Sequence, residues 1–322
     1  MFFLDFHLVP ISHLIFSPLC WLSFLIYLRL LYIIQIGRNR EFKSSFFFII
    51  RLHAITDIIM FLYVELIARP RKYRIHNFFH VAIDNWLPQL LYFSLTIIKN
   101  AMFLGYTVAA LNRCTVLFKS KNHHQIWSPF VIYTVFFIEW AALSTVLIPL
   151  FYTGNHNFSL VESENGELLL RANPNFMKLD ALQDFILSTS CFIISSILYF
   201  ITFFHLIQRL QGPNSPTPYF TPSHRPRPFS IPIPPTEFII LKCAFFSFIL
   251  FIPNFMKTTV LYFATSPAFI NVGTELWFFT TELMCVSSPW SLIVSSQRLR
   301  EECFPRCSKQ RKMVSSMLST HI

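Results

Sequence analysis

The chain of 322 residues lacks any stretch, outside its apolar runs, that could bury a core of its own. The tail 297–322 is too short for an independent domain, so the chain 1–322 reads as a single unit. It also lacks an internal repeat, and with it the paired halves that mark many transporters. Met1–Pro10 contains Asp5 but neither Lys nor Arg. A cleavable signal peptide needs a basic start, so the first apolar run is expected to act as an uncleaved anchor. Histidines give no metal constellation. His76 and His80 are spaced for one helix face, but the other cluster, His123-His124, falls on the opposite side of the membrane. About 30 Å of bilayer would separate the two, which excludes a shared metal pair. No catalytic group, metal or other cofactor is expected, and the chain is not read as an enzyme.

What is present is apolar sequence in seven long runs: 12–36, 45–67, 89–111, 130–152, 185–206, 238–263 and 276–295. A helix needs about 20 mainly apolar residues to cross a bilayer, and each run is long enough. The expected fold class is therefore an all-α membrane protein, a seven-transmembrane helix bundle. Lys and Arg favour cytoplasmic loops. One alternating set of loops holds fifteen of them, including Arg38, Arg113, Arg209 and the tail residues Arg298–Lys312; the other holds six. This predicts an outer N-terminus and a cytoplasmic C-terminus. Asn157-Phe158-Ser159 is the one glycosylation sequon, and the same topology places Asn157 outside, where such acceptors are used. The net charge of +10 follows from the cytoplasmic excess and implies the lipid bilayer as partner, not nucleic acid.

The loops differ in character. Nine of the chain's 20 prolines lie in 211–235, which excludes a continuous helix and predicts an extended cytoplasmic linker. Docking of an SH3-like or WW-like partner there is the alternative to simple connection. The outer loop 151–184 is acidic through Glu162, Glu164, Glu167, Asp180 and Asp184, whereas 68–88 is basic through Arg69, Arg71, Lys72 and Arg74. Either the two loops pair or each is solvated alone, since exposed ion pairs contribute little. No predicted outer loop contains a cysteine, so an outer disulfide is excluded. Cys20, Cys191, Cys243 and Cys285 lie in the runs as packing residues. Cys303 and Cys307 follow the last run closely, in the position of palmitoylated cysteines.

Ionisable residues within a membrane mark functional paths or fix helix register. Lys99 lies midway along the third run, and Lys257 and Glu282 lie in the outer halves of the sixth and seventh. They are candidates to line an outer pocket for a small ligand, the alternative being a register-fixing ion pair such as Lys257 with Glu282. The rival function is a transporter of a small polar solute, because buried charge and Pro253 within a span also suit a solute path.

Short motifs favour a receptor. Arg113 at the inner end of the third run, Asp57 in Leu52-His53-Ala54-Ile55-Thr56-Asp57, and Pro253 as a hinge resemble the plan of rhodopsin-like receptors. That resemblance implies a signalling switch formed by Asp57, Arg113 and Pro253, although positive-inside bias alone would also place an arginine at Arg113. Asn112-Arg113-Cys114 departs from the usual Asp-Arg-Tyr, and no Tyr follows Pro289 closely. The run Leu111–Phe118, then Gln125-Ile126-Trp127 and the closing Ser288-Pro289-Trp290, resembles the nematode serpentine chemoreceptors, most of all class gamma. This resemblance implies a G-protein-coupled chemosensory receptor in the plasma membrane of a sensory cell. Its implied partners are a small-molecule ligand and a heterotrimeric G protein.

Overall fold

The computed structural model describes residues 9–36, 42, 44–75, 87–118, 122–152, 158–163, 166–211, 249, 252–253, 255–256, 259, 262–263 and 267–304. The linker 212–235, Asn157, Lys257, Cys307 and most of the sixth run lie outside them.

Apolar sequence and backbone hydrogen bonding together produce long helices, because a helix satisfies its own amides without water. In chain order these are α1 (Ile11–Ile36), α2 (Ser45–Lys72), α3 (Leu87–Phe118), α4 (Pro129–Tyr152), α5 (Pro174–Gln211), α6 (Pro267–Ser295) and the short α7 (Gln297–Cys303). Among the described residues, four segments are long and apolar enough to cross a membrane: Ile11–Ile36, Ser45–Lys72, Leu87–Val116 and Pro174–His205. At 1.5 Å per residue the shortest reaches about 39 Å, beyond the hydrocarbon thickness of about 30 Å. Helices α4 and α6 carry the fourth and seventh runs.

The faces of α1 show why the bundle suits lipid. Cys20, Phe24, Tyr27, Leu30 and Ile34 recur every three or four residues and are buried. Leu14, Ile15, Leu19, Leu22 and Leu25 on the remaining surface are exposed. A water-facing helix would place polar groups there. The main core joins α1, α2, α3, α5 and α6, with Phe24 stacked on Phe61 at 4.8 Å between ring centroids. Helix α3 touches α2, α4 and α5. Thr107 and Ser195 meet at 3.3 Å across α3 and α5, small polar residues that let two backbones approach in lipid.

Several helices exceed their apolar runs, and two of these extensions bear on the charged residues. The Asn173 side chain accepts the amide of Asn175 at 3.0 Å, and Pro174 opens α5, an N-cap followed by the favoured first residue. The helix thus starts eleven residues before the apolar run at Phe185. Helix α2 continues past Ile67 through a π turn at Val64–Ala68 and one further turn, Arg69–Lys72. One inserted residue rotates the next turn by about 100° relative to a regular helix, and Arg69 and Lys72 end up buried.

Between α4 and α5 an antiparallel hairpin forms from β1 (Ser159–Glu162) and β2 (Leu168–Arg171). Leu160 and Leu168 bury against Leu91, with Leu87 and Ile67 alongside, so the hairpin sits on the ends of α2 and α3.

Candidate functional site

Charge is concentrated at the end of the bundle that carries the hairpin. Arg69 bonds both Glu65 of the π turn and Glu282 of α6, and all three side chains are buried. Glu65 also accepts from Ser17 at 2.6 Å and from the Trp21 indole at 2.8 Å, which ties α1 into the cluster. One turn further, Lys72 bonds Glu275 and lies 3.6 Å from Glu167 of the hairpin loop. Glu275 accepts from the Tyr73 hydroxyl and meets the His13 ring nitrogen, each at 2.7 Å. The Phe278 ring lies 5.8 Å from the Arg69 guanidinium and 5.7 Å from the Lys72 amine, adding cation–π attraction to both. Arg74 pairs with Glu162 on β1. The basic and acidic loops therefore pair with each other.

Lys99 has a different partner. It bonds Asp184, clamping α3 to α5. Among the described residues no hydrogen bond or ion pair joins Lys99 to Glu282, and the guanidinium on Glu282 is that of Arg69. Both candidate ligand residues are engaged in helix-to-helix pairs. The surrounding acids and bases were visible as charges near run ends. The five-residue extension of α2 that brings Arg69 and Lys72 inward carries no apolar signal.

Below this layer, α1, α2, α3, α5 and α6 line a cavity of about 70 Å³, enough for several waters. Asp57, Thr56, His53 and Tyr27 are among the polar residues set in its mainly apolar walls. The Tyr27 hydroxyl donates to Asp57 at 3.0 Å. Gly105 lines the same cavity, and a Cβ there would collide with the His53 ring. The missing side chain lets α3 lie directly against His53. Neither Lys99 nor Glu282 lines this space.

At the opposite end of the bundle, Arg113 is buried with its guanidinium carbon 3.2 Å from the centre of the Phe46 ring. Ser45 bonds His123 at 2.8 Å, and the Trp127 indole donates to Thr115 at 2.6 Å. The turn His123–Ile126 is thereby stitched to α2 and α3. Burial, reinforced by Arg113 and then His124, pulls His123 down from 6.5 to about 4, so its ring is neutral at pH 7. Pro253 is helical and half-buried. Cys303 is buried with Leu30, Leu292 and Leu299, and burial pushes its thiol up. Acylation there requires α7 to turn outward.

Long apolar helices bearing lipid-type outer faces, buried charge pairs and a mainly apolar cavity define an α-helical multi-pass membrane protein. A family model described as "Serpentine type 7TM GPCR chemoreceptor Srv" matches residues 16–308, and the chain belongs to that family. The matched class is Srv, so the finer resemblance to class gamma is not what this match carries. A comparison with curated proteins returned no match.

Proposed function

We propose that the protein is a chemosensory receptor with seven spans and its N-terminus outside. It takes a small ligand toward its outer end and signals through a heterotrimeric G protein. The observation that carries this reading is Arg113, buried against Phe46 at the end of α3 opposite the charged layer, within a chain matched to a chemoreceptor family over 16–308. In this reading Asp57, Arg113 and Pro253 form the switch, and the guanidinium of Arg113 leaves Phe46 when the active state forms. Ligand binding shifts the population by its differential affinity for the two states. Lys99, Lys257 and Glu282 remain the candidate ligand contacts; a ligand reaching Lys99 or Glu282 would exchange with Asp184 or Arg69. Asn157 is the candidate glycan acceptor, and Cys307, with Cys303 in a turned-out α7, the acylation candidate.

A ligand panel read through a G-protein nucleotide-exchange reporter tests the proposal. Arg113→Ala is expected to abolish the response while surface expression persists. A full response in that variant removes Arg113 from the switch. Solute uptake into vesicles without nucleotide exchange would instead identify a transporter.

A further inference from the structure

Arg74 occupies a backbone conformation that its side chain disfavours. Its φ is 56°, and it is the only non-glycine with positive φ among the described residues. It follows α2 as the left-handed residue of a helix stop: Ile75 N–H bonds Pro70 C=O at 2.9 Å and Arg74 N–H bonds Arg71 C=O at 3.3 Å. Glycine is the usual residue in that position because it has no Cβ to strain. An outlier of this kind is informative when its side chain has an evident task. Here the side chain reaches Glu162 on β1.

The geometry points to an ionic latch: Arg74 with Glu162, and Lys72 with Glu167, hold the β1–β2 pair closed over the apolar contact of Leu160 and Leu168 with Leu91. The latch is built to open. Glu162 is 58 % exposed and Arg74 21 % exposed, so water replaces each partner when they separate. Lys72 retains Glu275 when Glu167 leaves. No charge is stranded in the interior by opening, in contrast to Arg69, whose two carboxylate partners are both buried. The Arg74–Glu162 pair, whose carboxylate is exposed, is individually weak and screened by salt, which makes the closed state adjustable instead of permanent. The hairpin then governs access to the outer end of the bundle. Its placement there rests on the orientation proposed above.

The test uses the full receptor on intact cells with Leu168→Cys, a position 1 % exposed, and a membrane-impermeant thiol reagent, with the parent receptor as background. Arg74→Gly should raise the labelling rate about fivefold, and this change relieves the backbone at Arg74 and so keeps the fold. Glu162→Gln should act alike, and the swap Arg74→Glu with Glu162→Arg should restore slow labelling. High salt should accelerate labelling of the Leu168→Cys receptor, and less so once Arg74→Gly is added, where only the Lys72–Glu167 pair remains to be screened. Equal rates in the Leu168→Cys receptor with and without the single changes, or a swap that stays fast, overturn the latch. Labelling that appears only after permeabilisation overturns the orientation, while the same rate comparison in permeabilised cells still decides the latch.

Discussion

The two ends of the bundle are held by different forces. At the hairpin end, Arg69, Lys72 and Arg74 bond carboxylates from α2, α6 and the hairpin. At the Arg113 end, one guanidinium lies on an aromatic ring, with the neutral bonds Ser45–His123 and Trp127–Thr115 beside it. Separating buried charges leaves each without solvent, which is strongly unfavourable. The Arg113–Phe46 contact is a cation–π attraction of about 0.5–2 kcal/mol. The hairpin end therefore resists rearrangement in its deeper layer, while change of shape at the Arg113 end belongs to the switch proposed above.

The sharpest way to break this contrast is Arg69→Ala, which strands Glu65 and Glu282 in the interior. A loss of about 3–5 kcal/mol is expected, read as collapse of surface expression or of thermal stability in detergent. A variant as stable as the parent would mean that the charged layer does not hold the bundle. Gly105→Val should rank second, because its side chain would collide with His53. Overpacking of this kind typically destabilises by about 1–3 kcal/mol, and His53→Ala in the same chain should recover part of the loss.

The smallest effect is pH-dependent and belongs to the Arg113 end. His123 is held near 4 when folded, against 6.5 ordinarily. The unfolded chain thus binds more protons between these values, and stability rises with pH across that window. The His123 contribution is complete above about 6.5 and is lost as pH falls toward 4. Thermal denaturation at pH 7.5 and pH 5 should show a larger loss in the parent than in His123→Gln. Identical losses would remove His123 from the linkage.

Particular residues show where reading the chain stops. The start of α5 was available locally, since Asn173-Pro174 is a helix-opening pair, yet apolar content alone set the boundary at Phe185. The extension of α2 through Arg69–Lys72 had no such signal, because its π turn arises where α1 and α6 supply partners for Glu65 and Arg69. For the loops, charge left pairing and independent solvation equally open. The contacts Arg74–Glu162 and Lys72–Glu167 resolve that choice. Lys99 and Glu282 were recognisable as buried charges, but Asp184 and Arg69 as their partners were not.

Sequence by itself determined the membrane class, the apolar helices and the kinship with chemoreceptors, because hydropathy and short motifs are local properties that accumulate along the chain. Tertiary structure alone decided which charges meet. Arg69 and Glu282 are 213 positions apart, and which carboxylate receives a guanidinium at that separation depends on helix rotation, the π turn and the packing of α1 against both helices.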